Sequence, residues 1–221
     1  MPLHAPDGSN LKVPSQPTLL NVQSSPTLTA SASRAVSKAF VEKYAADHAG
    51  TKVIDIDLVL NLPAHINTDH LGAFFAPPEA HAKANEVALK ISDGDVDQLM
   101  GADVVVLGTP MHNFSVASVM KSWINNIVRV GKTFKYNEMG AVVGLLPQKK
   151  IVIIVGSGGI CSQGPMQEFE HSGKYLHDIF RFLGMTDINV IRAEGLAKQS
   201  GSDRDRIRVF STMASVDEAL H

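Results

Sequence analysis

The stretch Val104-Val-Val-Leu-Gly-Thr-Pro-Met-His-Asn-Phe114 indicates the fold more directly than any other part of the chain. It begins with a short apolar run rich in β-branched side chains, which is typical of a buried parallel strand. The run stops at Gly108, and an amphipathic segment follows from about Ser115. We therefore expect a strand that ends in a loop, 108–114, at the carboxyl edge of a sheet, where open α/β sheets bind their ligands.

Further apolar runs alternate with helical patterns along the rest of the chain. The predicted strands are 18–23, 52–58, 102–107, 150–155 and 187–192, and the predicted helices are roughly 32–48, 80–99, 116–130, 166–183 and 204–220. Strands that alternate with helices in this way form a parallel sheet covered on both faces. The pattern predicts a flavodoxin-like α/β three-layer sandwich, with a five-stranded parallel sheet of order 2-1-3-4-5.

Length limits the domain organisation. A chain of 221 residues suits one domain with a large core. Residues 1–16 contain several prolines and are predicted to form an N-terminal extension, and 17–221 form the domain itself. The N-terminus lacks the basic start and apolar stretch of a secretory signal, and no apolar run approaches the roughly 20 residues that span a bilayer. We therefore expect no membrane association.

Charge and cysteine content narrow the function classes. A formal net charge of -2 provides no general attraction to nucleic acid or to an anionic membrane surface. The single cysteine, Cys161, excludes an internal disulfide framework and predicts a reducing, cytoplasmic location. The histidines lack paired metal-ligand spacing, so no metal site is predicted.

The loop after the third predicted strand has the composition of a wall for a planar heterocycle. Pro110 would stiffen the loop, while Met111 and Phe114 would cover a flat apolar ligand. The Asn113 amide could hydrogen-bond heteroatoms of the ring. His112 could donate a hydrogen bond or a proton, because imidazole groups exchange protons near neutral pH. Packing with a polar contact is the preferred interpretation of His112, ahead of proton transfer.

A hydroxyl-rich segment, 24–33, follows the first predicted strand and leads directly into a helix. Serine and threonine hydroxyls, together with the free N–H groups of a helix N-terminus, can bind a phosphate. The segment contains neither a Walker loop nor Gly-x-Gly-x-x-Gly, which argues against nucleotide hydrolysis and a Rossmann dinucleotide site. Two interpretations remain open: a cradle for the monophosphate of a cofactor, or an ordinary turn with Ser31 as the helix N-cap.

The fourth predicted strand ends in Gly156-Ser-Gly-Gly159. Glycines let a ligand approach the backbone closely and present N–H groups to it, although such a run can also be a simple turn. In the predicted topology the ends of strands one, three and four are neighbours. A phosphate cradle, a ring-covering loop and a glycine run at one edge favour flavin mononucleotide (FMN) as the ligand.

Several motifs share an order and a spacing with one enzyme family. They are Gly108–Phe114, Lys121–Asn125, Gly131–Tyr136, Gly156–Ile160 and Ala193–Leu196. With these motifs the chain, from about Thr18 onward, resembles the FMN-dependent NADH-azoreductases. These are flavodoxin-like homodimers related to the quinone reductases. The resemblance implies FMN as cofactor, NADH as electron donor and a homodimer.

The resemblance also assigns roles to individual residues. It implies that the FMN phosphate is held by Ser25, Ser31 and Ser33. The residues around the isoalloxazine ring would be Pro110, Met111, His112, Asn113 and Phe114, followed by Gly156, Ser157, Gly158 and Gly159. The chain departs from the family at His112, where the family has tyrosine, and at Gly156 and Ser157, where the family's Ser-Arg-Gly-Gly has a serine and an arginine.

The implied activity is the reduction of a quinone or a small aromatic azo compound by NADH, in a ping-pong reaction that transfers two electrons. Because the flavin carries out such chemistry, no catalytic side chain is expected. Phe134 and Tyr136 could line the substrate cavity, from either subunit, or simply anchor their loop. Two alternatives remain: an electron carrier that binds FMN without turning over a substrate, and a flavin-binding module. The near-neutral charge and the long connections 61–78 and 132–149 argue against the carrier.

Overall fold

A computed structural model describes residues 16–75, 83–198 and 215–220. Its strands are β1 Thr18–Gln23, β2 Lys52–Asp57, β3 Val104–His112, β4 Ser115–Val116, β5 Phe134–Tyr136, β6 Val142–Gly144, β7 Lys150–Gly156 and β8 Ile188–Ala193. Its α-helices are α1 Ala32–Asp47, α2 Thr68–Phe75, α3 Lys83–Gly101, α4 Ser118–Ile127 and α5 Ser172–Phe182. Two short 3-10 helices, Gly164–Phe169 and Leu196–Lys198, and a helical segment, 215–220, complete these elements.

The main sheet has the predicted strand order. β2, β1, β3, β7 and β8 lie side by side in that sequence, and every neighbouring pair is parallel. Numbered among themselves along the chain, these strands have the order 2-1-3-4-5, so the flavodoxin-like prediction is confirmed. Parallel neighbours require crossover connections, which contain α1, α3, α4 and α5.

Alternate side chains of each strand enter two hydrophobic cores, one on each face of the sheet. Leu20 and Ile153 belong to the core beneath α3, α4 and α5, which also contains the fully buried Trp123. Leu19 and Phe40 belong to the core beneath α1 and the segment 215–220. The sheet is therefore the middle layer of a three-layer sandwich, as predicted.

Two local predictions are wrong. The third strand does not end at Leu107, because β3 continues to His112 and turns back as the antiparallel β4. The predicted loop 108–114 is therefore the outer half of a strand and a tight turn. The predicted helix 166–183 is divided into a 3-10 helix and α5, since the Glu170 carboxylate accepts the N–H of Gly173 (2.7 Å) and begins α5 anew.

The connection 132–149 forms the β5–β6 hairpin, which lies outside the main sheet. A Cβ on Gly144 would lie 2.1 Å from the carbonyl oxygen of Leu183, just after α5, so the hairpin touches that backbone directly. Gln148, which precedes β7, donates to the carbonyl of Gly184 (2.7 Å). These contacts place the base of the hairpin at the amino edge of the sheet, opposite the strand ends that follow β1, β3 and β7.

Two sequence predictions lie almost wholly outside the described residues. They are the extension 1–16 and the helix 204–220, of which only 215–220 is described and is helical. In the stretches that the structure does describe, no helix combines the length and apolar character needed to cross a bilayer.

Candidate functional site

The carboxyl ends of β1, β3 and β7 meet at one place. The backbone N–H and the hydroxyl of Ser24, after β1, both donate to the carbonyl of Gly108 in β3 (2.9 and 3.0 Å). Pro110 in β3 is paired in register with Gly156 at the end of β7. A Cβ on Gly156 would lie 3.4 Å from the backbone nitrogen of Ser33 in α1. The three predicted parts of the site are therefore neighbours.

Helix α1 begins at this meeting point with the polar groups that a phosphate requires. Ser31 is its N-cap, and the Ser31 hydroxyl accepts the N–H of Arg34 (3.3 Å). The hydroxyls of Ser31 and Ser33 lie 3.1 Å apart, and the side chains of Ser33 and Ser25 are buried. The first turn contains no acidic side chain, so nothing opposes an anion there. Ser31 is thus an N-cap, as one interpretation held, and the same turn retains free N–H groups for an anion.

The guanidinium of Arg34 makes several hydrogen bonds within the protein. Its Nε and Nη2 donate to the carbonyl of Ser25 (3.1 and 2.7 Å). Its Nη1 and Nη2 donate to the two carboxylate oxygens of Asp57, at the end of β2 (2.7 and 3.0 Å). The hydrogen bonds from Arg34 lower the pKa of the Asp57 carboxyl below its usual value. The sequence provided no signal for this pair, since the two residues are distant along the chain.

The turn between β3 and β4 has an unusual backbone. Met111 pairs with Val116 and His112 with Ser115, which leaves Asn113 and Phe114 as a two-residue turn. Their φ angles are 49° and 68°, and positive φ at both central residues is the pattern of a type I′ hairpin turn. Asparagine tolerates this region, but a bulky residue such as phenylalanine is strained there.

Contacts from the segment before α5 hold Phe114 in this conformation. The N–H of His171 donates to the carbonyl of Phe114 (3.0 Å). The Phe114 ring packs against the Phe169 ring, with 5.3 Å between ring centroids. Despite this contact the Phe114 side chain remains 43% exposed. A residue with a strained backbone, whose apolar side chain is exposed at the rim of a crevice, is typical of a ligand site rather than of a hydrophobic core.

His112 lies beside the turn and lines a cavity next to it. The cavity has a volume of about 480 Å³ and is lined by His112, Asn113, Ser115, Val116, Ser118, Lys121 and Tyr175. Polar groups and one cation therefore surround His112. A packing and polar-contact role stays the preferred interpretation of His112.

The glycine run is held in place by the segment that follows β8. The carbonyls of Ser157, Gly158 and Gly159 accept the N–H groups of residues 196, 197 and 195 respectively (3.3, 3.0 and 3.1 Å). Within the described residues, no carbonyl or side chain accepts the N–H of Gly158 or Gly159. Both residues are exposed, so these N–H groups are free for a ligand.

Glu194 extends this support to the residues after the glycine run. Its carboxylate accepts the N–H of Cys161 (3.0 Å) and the hydroxyl of Ser162 (2.6 Å). Burial, and then the charges of Glu194 and Glu170, raise the pKa of the Cys161 thiol. A buried thiol of this kind is a poor nucleophile. The motif that contains Glu194 was recognised in the sequence, but its supporting contacts follow only from the fold.

The two predicted substrate-lining residues do not join this crevice within one chain. Phe134 belongs to the hydrophobic core, where its ring contacts that of Phe182 (4.9 Å between centroids). Tyr136 is 59% exposed on the hairpin whose base lies at the amino edge of the sheet. Phe134 therefore anchors its loop, and Tyr136 could reach a crevice only in a second copy of the chain.

The crevice as a whole fits a flavin mononucleotide. One end offers an uncompensated helix N-terminus with hydroxyls, which suits a phosphate dianion. The other end offers an exposed apolar side chain, an asparagine amide and free glycine N–H groups, which suit a flat ring with polar edges. Among the residues that the structure describes, no three histidine, cysteine or acidic side chains lie close enough together to hold a metal ion.

Comparisons with known proteins agree with this fold. The family model described as a flavodoxin-like fold matches residues 17–210. A Herminiimonas arsenicoxydans protein named FMN-dependent NADH:quinone oxidoreductase is 40% identical over 202 residues, covering 91% of this chain and 98% of that protein. A Mesorhizobium japonicum protein of the same name is 39% identical over 204 residues, covering 92% and 95%. The crystal structure of an FMN-dependent NADH-azoreductase from Bacillus anthracis, in complex with FMN, has a TM-score of 0.81 and 26% identity, covering 93% of this chain and 100% of that one.

Proposed function

The chain belongs to the flavodoxin-like fold family, and we propose that it is an FMN-dependent oxidoreductase that uses NADH to reduce quinones or aromatic azo compounds. The names of relatives at about 40% identity over nine-tenths of the chain support the cofactor, the donor and the quinone acceptor. The observation that carries the proposal is the meeting of three strand ends, which joins a phosphate-binding helix terminus to a ring-binding turn.

Bound FMN would supply the redox chemistry, accepting a hydride from NADH and then passing two electrons to the acceptor. The protein has to bind and orient the ring and its phosphate. Ser25, Ser31 and Ser33 would hold the phosphate, together with the first N–H groups of α1. Turn residues Asn113 and Phe114, preceded by Pro110, Met111 and His112, would enclose one side of the ring.

The glycine run would stabilise charge that develops on the ring. The free N–H groups of Gly158 and Gly159 are fixed by the hydrogen bonds of their own carbonyls. Donors that are held in place before the reaction do not need to reorganise when negative charge appears, so they favour the reduced ring. Gly156 lets this segment lie against the start of α1, where the phosphate would lie, and the hydroxyl of Ser157 donates to the carbonyl of Gly159 within the run.

Donor and acceptor would use one apolar slot in turn, which is a ping-pong reaction. The exposed apolar side chains around the crevice support this slot and also a homodimer. Leu60 and Leu62, after β2, are 66% and 72% exposed, and Ile160, after β7, is 46% exposed. A second copy would cover these side chains and would bring Tyr136 toward the slot. A monomer in analytical ultracentrifugation at micromolar concentration would exclude the homodimer.

The decisive experiment is the absorption spectrum of the purified protein with and without added FMN, followed by anaerobic titration with NADH. The proposed enzyme gives a flavin spectrum that NADH bleaches and that a quinone or an azo dye restores. A flavin spectrum that NADH does not bleach identifies an electron carrier instead. A protein that does not bind added FMN has neither function.

A further inference from the structure

Arg34 and Asp57 lie beside the loop that would receive the phosphate, and neither is among the residues assigned to binding it. We propose that they act together as positioning residues, which give this loop its phosphate-binding shape without contributing a free positive charge. The inference rests on the proposed binding of FMN. It concerns how the site is built and which residues determine its affinity for the phosphate.

The guanidinium of Arg34 is almost fully occupied inside the protein. Its contacts go to the carbonyl of Ser25, through Nε and Nη2, and to both oxygens of Asp57, through Nη1 and Nη2. An arginine has five N–H donors, so at most one donor is left for a ligand. The side chains of Arg34 and Asp57 are only 16% and 21% exposed, so this is a largely buried, two-point ion pair.

The position of the Ser25 carbonyl explains why the loop needs the guanidinium of Arg34. The next residue is Pro26, which has no N–H, so the carbonyl oxygen is the only hydrogen-bonding group of this peptide unit. A carbonyl oxygen that faced the crevice would repel an anionic phosphate. Two hydrogen bonds from Arg34 keep this oxygen directed toward the guanidinium. The loop can then present its hydroxyls and the N–H groups of α1 to the phosphate.

Asp57 determines where the guanidinium lies. Its carboxylate also accepts the N–H of Val59 (3.0 Å), so it is fixed by the turn that follows β2. The pair thereby connects the loop after β1 to the end of the neighbouring strand. It also cancels most of the charge of Arg34, so attraction between Arg34 and the phosphate is a minor contribution.

Two conservative variants separate positioning from simple attraction. Arg34→Lys keeps the positive charge but loses the two-point geometry, since an ammonium cannot bridge the Ser25 carbonyl and both Asp57 oxygens in the same way. Asp57→Asn removes the negative charge and would leave Arg34 more positive toward a phosphate. Attraction by charge predicts that Arg34→Lys binds FMN normally and that Asp57→Asn binds it more tightly. Positioning predicts that both variants bind FMN more weakly.

The test is a fluorescence titration of the full-length protein with FMN and, separately, with riboflavin, which lacks the phosphate. We expect each variant to weaken FMN binding roughly 10- to 100-fold, because each loses hydrogen bonds between Arg34, Asp57 and the Ser25 carbonyl that shape the loop. Riboflavin binding should change less than about 3-fold, since the ring end of the site is intact.

The matched control is Arg129→Lys. Arg129 is also buried, at 5% exposed, and is paired with Asp93 (3.3 Å), but it follows α4 at the amino edge of the sheet. The Arg129→Lys substitution should lower the melting temperature without changing the ratio of the FMN and riboflavin dissociation constants. A changed ratio in Arg129→Lys would show that the ratio reports general destabilisation, and would overturn the inference.

Two further outcomes would overturn the positioning role of Arg34 and Asp57, in different ways. Unchanged or tighter FMN binding by Asp57→Asn, in a wild-type protein that does bind FMN, removes the positioning role and leaves the proposed function standing. A wild-type protein that does not bind FMN removes the proposed function itself. If Arg34→Lys fails to fold, Asp57→Asn alone still decides between the two predictions, because they differ in sign.

Discussion

The two edges of the main sheet differ in how completely their polar groups are paired. At the amino edge, Thr18 and Asp103 exchange two hydrogen bonds of 2.8 Å each. The buried ammonium of Lys149 donates to three carbonyls at and just after the end of α3. Gly144 allows the β5–β6 hairpin to touch the backbone after α5. These contacts within the chain pair the polar groups of Thr18, Asp103 and Lys149.

The carboxyl edge has the opposite character. Its turn holds Phe114 at a φ of 68°, and its glycine run keeps N–H groups unoccupied. Large apolar side chains such as Leu62 remain exposed beside it. The positive φ at Phe114, the unoccupied N–H groups and the exposed apolar side chains therefore lie together at the carboxyl edge. The difference indicates that contacts within the chain stabilise the amino edge, whereas the carboxyl edge leaves groups available for the proposed ligand.

The largest effect is expected from Gly144→Ala at the amino edge. The added Cβ would lie 2.1 Å from the carbonyl oxygen of Leu183, a backbone atom that cannot rotate away. We expect the free energy of unfolding to fall by about 3 kcal/mol or more in urea denaturation, the upper range for overpacking. Gly101→Ala, where no atom lies within 4 Å of the added Cβ, is the control. Wild-type stability of Gly144→Ala would contradict the close approach.

Lys149→Met tests the same edge through hydrogen bonding. The substitution keeps the length of the side chain but removes the donor from the buried carbonyls of Leu99, in the last turn of α3, and Ala102, just after it. We expect a loss of about 2 kcal/mol in the free energy of unfolding, since an unsatisfied buried group costs about 1–3 kcal/mol. Lys38→Met, at a side chain 75% exposed on α1, should have little effect. Equal effects of the two substitutions would show that the Lys149 contacts do not stabilise the protein.

At the carboxyl edge, removing polar groups should affect binding more than stability. The double variant Ser31→Ala, Ser33→Ala is expected to weaken FMN binding by about 2 kcal/mol, from two lost hydrogen bonds to a charged group. Loss of the Ser31 N-cap should lower stability by about 1 kcal/mol. Fluorescence titration measures the affinity, and riboflavin serves as the ligand control. Unchanged FMN affinity would remove both serines from the site.

Phe114→Gly tests whether the backbone strain at Phe114 lowers stability while its side chain supports FMN binding. Glycine adopts positive φ freely, so the relief of about 1 kcal/mol of strain offsets the lost contact with Phe169. Phe169→Ala loses the same ring contact without relieving the turn, and should therefore be the less stable of the two variants in urea denaturation. Phe114→Gly should also retain FMN less well. The reverse order of stability would show that the turn is unstrained.

The smallest expected effect is a dependence of the free energy of unfolding on pH. The pKa of Asp57 is lowered below about 3.8 in the folded protein by its hydrogen bonds from Arg34. Between the folded value and about 3.8 the unfolded chain binds more protons, so stability rises with pH there. Wild type should exceed Asp57→Asn in stability above about pH 4, and the difference should close as the pH falls below it. A difference that is constant from pH 6 to pH 3 would contradict the ion pair.

Much of the fold could be predicted from the sequence because it depends on short-range patterns. The apolar run 150–155 and the alternation of strands with helices are sufficient for a parallel sheet and its order. The proximity of the candidate site residues could be predicted in outline for the same reason. Asn113 and Phe114 and the glycine run lie at strand ends, Ser31 and Ser33 lie at the start of the helix that follows β1, and neighbouring strands bring these places together.

The remaining features join residues that are distant along the chain, and only the tertiary structure decided them. Arg34 and Asp57 meet because β1 and β2 are neighbours, and Glu194 meets Cys161 because β8 lies beside β7. The left-handed turn at Phe114 depends on the contact with His171. Phe134 and Tyr136 are part of a motif that follows α4, yet α4 runs away from the crevice and places them on the far side. Hydrophobic periodicity determines which elements form, whereas the pairing of individual polar groups depends on the distances that packing sets.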